Sequence, residues 1–88
     1  MKTVYKSRFL KDAEKLPDKI KSAVLEIAFK QVPNLENIQD IGNLKKLSGF
    51  KDFYRIRYSD YRIGIVARHD EVVFLRVLHR KDVYKYFP

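Results

Sequence analysis

The sequence predicts an α+β domain of two layers, with two N-terminal helices packed on one face of a small antiparallel sheet. Three observations predict it. Apolar residues recur at helical spacing over residues 8–31 and switch to period two from residue 53. The alternating segments are consecutive, three or four strands in a row, and their links are short enough for hairpins. The chain has 88 residues, the size of one domain spanning 1–88.

Val4 and Tyr5 read as a short opening strand that can add to the sheet. Ser7 is placed to cap a helix beginning at Arg8. Phe9, Leu10, Ala13 and Leu16 then share a face, with Lys11, Asp12, Glu14 and Lys15 outside. Pro17 punctuates. A second helix is expected over about Asp18–Gln31, with Ile20, Val24, Ile27 and Ala28 inward, and Pro33 ends it. Residues 33–44 read as a connection with one helical turn near Glu36–Asp40. Lys46–Leu47 fits a strand, and Ser48-Gly49 is a turn signal. Phe53–Tyr58, Tyr61–Arg68 and Val72–His79 are three consecutive strands linked by Ser59-Asp60 and His69-Asp70-Glu71.

Composition excludes several function classes. There is no cysteine, so disulfides, thiol nucleophiles and thiolate metal sites are absent together. Two histidines, His69 and His79, are too few for a dedicated zinc site, and no metal is expected. No stretch is long and apolar enough to span a membrane. The N-terminus lacks the apolar core of a signal peptide, so a soluble cytoplasmic protein is expected. A core this small predicts a stabilising partner.

The charge is +8, and it is uneven. Residues 1–44 hold eight basic and six acidic side chains, with Arg8 the one arginine. Residues 45–88 hold eleven basic and five acidic, among them Arg55, Arg57, Arg62, Arg68, Arg76 and Arg80. Arginine grips phosphate through two parallel hydrogen bonds, so the second half points to a polyanion.

A hairpin with Ser59-Asp60 at its tip sets Tyr58 opposite Tyr61, Arg57 opposite Arg62, Ile56 opposite Ile63 and Arg55 opposite Gly64. Tyr54, Ile56, Tyr58, Tyr61, Ile63 and Ile65 then share the face that carries the helices. Arg55, Arg57, Arg62 and Gly64 share the other. Like charges facing one another on a sheet are destabilising, so three arginines at one pairing need a reason. Either they splay into water or pair with Asp52, Asp60 or Asp82, or they bind a polyanion. Gly64 permits close approach of a ligand or of backbone. A two-residue turn after the middle strand brings His79 to the Arg62 face; one extra residue brings Arg80 instead. A tyrosine in the tail, such as Tyr84, can fold over that face and stack on a base, whereas Phe87 is expected to pack against the sheet edge.

The segments Leu44-Lys45-Lys46-Leu47-Ser48-Gly49-Phe50-Lys51-Asp52-Phe53-Tyr54-Arg55-Ile56-Arg57, Asp60-Tyr61-Arg62 and His79-Arg80-Lys81-Asp82-Val83-Tyr84 come in this order after two short helices. In that combination the chain resembles the RelE/ParE superfamily of bacterial type II toxins, its RelE branch in particular. The resemblance covers nearly the whole chain and implies a RelE-like fold. It implies an endoribonuclease that cuts mRNA in the ribosomal A site, needs no metal or small-molecule cofactor, and is inhibited by a cognate antitoxin protein.

By that resemblance Arg55, Arg57, Arg62, Arg80 and Tyr84 are catalytic; His79 joins them as a candidate proton carrier, and Lys45, Lys46, Lys51 and Lys81 are expected to bind RNA. The expected reaction is attack of the RNA 2′-OH on the neighbouring phosphate, leaving a 2′,3′-cyclic phosphate and a 5′-OH. The RelE type member carries lysines at the first two strand positions. Here they are Arg55 and Arg57, which do not give up a proton. The general base therefore does not carry over, and His79, with an ordinary pKa of about 6.5, is its substitute. Alternative readings are a ParE-like DNA gyrase inhibitor, a non-catalytic RNA-binding module and an inactive toxin.

Overall fold

A computed structural model describes residues 1–88. The chain runs β1 (Lys2–Tyr5), α1 (Ser7–Glu14), α2 (Asp18–Glu26), β2 (Leu44–Lys46), β3 (Phe53–Tyr58), β4 (Tyr61–Arg68), β5 (Glu71–His79) and α3 (Val83–Tyr86). The five strands form one sheet in the order β1-β5-β4-β3-β2. β2 to β5 pair antiparallel, as the period-two segments predict. β1 pairs parallel with β5, so the sheet is mixed and its first strand lies beside its last.

The two helices cover one face. Phe9 and Ala13 of α1 and Val24 of α2 meet Ile56, Ile63, Ile65, Phe74 and Val77 in one buried cluster. Tyr5 joins it, stacked between Phe29 and Phe74 with its hydroxyl donating to the Ala28 carbonyl at 2.6 Å. Leucine, isoleucine and phenylalanine side chains of this kind each contribute about 1.5–3 kcal/mol on burial. That burial, rather than helix propensity, holds helices of eight and nine residues.

Four local expectations are corrected. Ser7 is the first residue of α1 rather than its cap; Lys6 holds the flanking position in extended backbone, and no side chain caps the helix. α2 ends at Glu26 and widens into a π turn over Ile27–Gln31, and Pro33 lies inside a 3-10 turn, Val32–Asn34, rather than just beyond the helix. The early edge strand is Leu44–Lys46, without Leu47. The link between β4 and β5 is His69-Asp70 alone, because Glu71 already pairs with Arg68. Ser59 and His69, each first in a two-residue turn, take positive φ of 53° and 51°, the backbone such tight hairpins demand.

The β3–β4 register is the expected one, with Arg57 opposite Arg62 and Arg55 opposite Gly64. β5 holds the surprise. Ile65 faces Phe74 but Gly64 faces Arg76, so Leu75 is an extra residue, a β-bulge. The bulge keeps Val77 in the core. It also reverses the faces of everything after it: His79 lies opposite Tyr61 and Leu78 opposite Arg62.

Candidate functional site

The face of the sheet away from α1 and α2 collects cations because alternation leaves them nowhere else. Lys45 pairs with Arg55 across β2–β3, and Arg57 pairs with Arg62 across β3–β4. Two surface depressions share Arg62. One, of about 360 Å³, is lined by Lys45, Arg55 and Arg57; the other, of about 400 Å³, by Arg80, Lys81 and Tyr84.

No carboxylate lies within 4 Å of Arg55, Arg57 or Arg62. Asp52 is taken by Arg68 at 2.8 Å. Asp60 reaches only Arg80, at 3.7 Å and in solvent. Arg62 instead donates to the carbonyls of Ser59 and Tyr61 at 3.0 and 2.9 Å, which fixes its stem at the hairpin tip. Burial, followed by the charges of Arg57, Arg55 and Arg80, holds the Arg62 guanidinium below its ordinary value. It remains a cation, and the neighbouring arginines add repulsion to the larger effect of burial.

Tyr84 stands over this face with 76 % of its surface exposed. Arg55 donates from Nη1 to its hydroxyl at 2.8 Å, and the guanidinium carbon lies 5.1 Å from the ring centre. That bond, then the charge of Arg55, and lesser contributions from Lys45 and Arg62 hold the phenol below its ordinary pKa of 10.0.

The fold thus brings together Lys45, Arg55, Arg57, Arg62, Arg80, Lys81 and Tyr84. Three expected residues lie elsewhere. His79 faces away from Arg62, packed edge-on against Tyr61 at 5.3 Å, with Nδ1 accepting the Lys81 backbone N–H at 3.1 Å. The bulge at Leu75 is the reason, and Arg80 takes the place beside Arg62. Lys46 pairs with Tyr54 on the helix side, its Nζ at 3.3 Å from the Phe50 carbonyl. Lys51 lies exposed in the turn before β3 and lines neither depression. No group of three or more His, Asp or Glu side chains is arranged to hold a metal ion.

Two contacts were not read from the sequence. Gly64 lies under the ring of Phe87, so its bare backbone admits a side chain of the same chain rather than a ligand. Asp12 of α1 accepts from Arg76 at 2.7 and 3.1 Å and from the Val77 N–H at 3.1 Å, closing the edge of β5 beyond β1. The bulge did leave a signal: strict alternation from Val72 and Phe74 would bury Arg76, while the next core-type residue is Val77.

A mixed sheet of this order, covered by helices on one face and by cations on the other, defines the RelE/ParE class of small toxins. The family model described as the ParE toxin of type II toxin–antitoxin systems matches residues 4–84. The chain belongs to this family and is a toxin of a type II toxin–antitoxin system. Toxin RelE3 of Methanocaldococcus jannaschii is 37 % identical over 89 residues, covering 100 % of both chains. The RelB-RelE antitoxin-toxin complex from Methanococcus jannaschii superposes with a TM-score of 0.81 at 35 % identity, covering 97 % of this chain and 99 % of that one. The RelBE2 toxin-antitoxin complex from Mycobacterium tuberculosis gives 0.70 at 28 % identity, covering 92 % of each.

Proposed function

We propose that this toxin is a metal-independent endoribonuclease that cuts mRNA on the ribosome, in the A site. One observation carries the reading: four arginines and two lysines converge under an exposed tyrosine with almost no neutralising acid. Cleavage of RNA by transesterification through its own 2′-OH needs no protein nucleophile. It needs the 2′-oxygen in line with phosphorus, charge stabilisation on the phosphoryl oxygens, and a proton acceptor. Arg55, Arg57, Arg62 and Arg80 supply the second requirement. Tyr84 supplies the others: its ring stacks on a base, and its phenolate, stabilised by Arg55, takes the 2′-OH proton. The 2′-O–P bond forms as the P–O5′ bond breaks, and the leaving 5′-oxygen is protonated from solvent beside Arg80. Lys45 and Lys81 hold flanking phosphates. His79, on the opposite face, has no part in this scheme.

The partner that inhibits the toxin is a cognate antitoxin. Supporting this are the relatives solved as antitoxin complexes and two surfaces that such a chain would cover. One is the cationic face. The other is an apolar groove of about 390 Å³ between α2 and the β2–β3 edge, lined by Ile27, Val32, Leu35 and Ile41. An amphipathic, acidic segment fits both.

The test is a cleavage assay on ribosomes programmed with a defined mRNA, using toxin stripped with EDTA and freed of chelator before mixing. Primer extension is expected to find a new 5′ end within the A-site codon. Arg80→Ala is expected to lower that signal at least about tenfold, since it removes charge stabilisation. No cut by folded toxin would reject the nuclease reading and turn attention to DNA gyrase.

A further inference from the structure

We infer that Gly64 and Phe87 form a socket and plug that seats the C-terminal turn and so holds Tyr84 over the arginine face. Both are positioning residues, and the inference rests on the reading of that face as the RNA-cleaving site.

α3 spans only Val83–Tyr86, a length that does not hold itself in water. Its outer residues Tyr84, Lys85 and Tyr86 are exposed. Two side chains four residues apart tie it down: Val83 at 2 % exposure and Phe87 at 6 %. The Phe87 N–H closes the turn on the Val83 carbonyl at 2.9 Å. The Phe87 ring lies flush on Gly64. A Cβ at Gly64 would meet Cδ1, Cε1 and Cζ of that ring at 2.6, 2.6 and 2.7 Å, closer than real Cβ atoms approach anything. Phe53 closes the side of the socket at 5.8 Å.

Gly64 lies beside the β4–β5 bulge, but the extra residue, Leu75, is on β5, so the bulge does not itself call for glycine on β4. Gly64 is in the interior of β4 and has no positive φ. Glycine in a strand interior weakens it, so the position serves the ring rather than the strand. Gly64 also pairs with Arg55, the residue that bonds Tyr84. The plug therefore enters one pairing away from the atom it positions, and three residues of chain link Phe87 to Tyr84. Reaction geometry is unforgiving at this scale: a misplacement of about 1 Å costs about 10²-fold in rate.

The experiment compares wild type, Gly64→Ala, Phe87→Ala and the double variant Gly64→Ala/Phe87→Leu. Each is read by the ribosomal cleavage assay and by NMR titration of tyrosine-labelled protein, with Tyr84 assigned by Tyr84→Phe. Circular dichroism reports folding, and Phe87→Ala tests the plug without intruding on the sheet. Gly64→Ala and Phe87→Ala are expected to cut about 10²-fold more slowly and to titrate Tyr84 closer to an ordinary phenol. The double variant is expected to recover part of both losses, because leucine leaves room for the new methyl. Wild-type cleavage and an unmoved Tyr84 titration in folded Gly64→Ala would overturn the inference. So would lost cleavage with Tyr84 unmoved. If wild type does not cut, the nuclease reading fails, and the titration alone decides the seat.

Discussion

At the scale of single residues, the proposed site carries arginine at both outward positions of β3, Arg55 and Arg57. Arg55 and Arg57 stabilise charge but do not act as bases. Arg55 nevertheless lowers the pKa of the phenol above it, which supports the proposed role of Tyr84 as proton acceptor. On the proposed nuclease reading the working form is the phenolate, so cleavage is expected to rise with pH with its midpoint below that of an ordinary phenol. Tyr84→Phe keeps the ring for stacking and removes the base. It is expected to cut about 10²-fold more slowly and to lose that rise, read as a pH–rate profile on bound substrate. An unchanged profile would move the base to the ribosome or the RNA. The shared face of Arg55, Arg57 and Arg62 was legible in the sequence, because a two-residue turn at Ser59-Asp60 fixes every pairing in its hairpin. His79 was not. Its face depends on a bulge at Leu75, five residues past the His69-Asp70 turn, and turn chemistry carries no information about that.

At the scale of elements, the bulge at Leu75 explains how one strand serves two faces. Before it, Val72 and Phe74 point into the core; after it, Val77 does, and Arg80 emerges beside Arg62. The disrupted ladder leaves β5 short of partners beyond Phe74, where β1 has ended. Asp12 of α1 supplies them, binding Arg76 twice and the Val77 N–H once. The pair is largely buried, at 16 % and 13 % side-chain exposure, and the bond to Asp12 raises the Arg76 pKa further. Asp12→Ala would strand a buried cation and an unpaired N–H, and is expected to destabilise the fold by about 3 kcal/mol. Asp12→Asn, which retains an acceptor, is expected to cost less. Urea midpoints with unchanged slope would measure both. The parallel placement of β1 was beyond the sequence for a related reason. Val4 and Tyr5 read as a strand, but a short segment without a hairpin partner does not say which edge it joins.

For the whole molecule, the division of labour between sheet faces sets a conflict between stability and binding. One face gathers the apolar cluster. The other gathers guanidinium groups, with Arg57 directly opposite Arg62, whose mutual repulsion adds to burial in lowering the Arg62 pKa. A fold selected for stability alone would disperse them, which supports the proposed anionic partner, whether RNA phosphate or an acidic antitoxin segment. Both partners should then depend on salt through the same residues. For single-stranded RNA, the slope of log K against log salt is about −0.7 per neutralised phosphate. Arg57 is exposed, makes no ion pair, and faces Arg62 directly, which makes it the cleanest cation to remove. Arg57→Gln is expected to weaken binding of a non-cleavable 2′-O-methyl RNA and to flatten the slope by about 0.7. It is also expected to raise the thermal midpoint, because a repulsive neighbour of Arg62 is gone. A flattened slope with a higher midpoint would show one side chain trading stability for affinity. An unchanged slope would place the phosphates off this face and leave the antitoxin as its remaining partner.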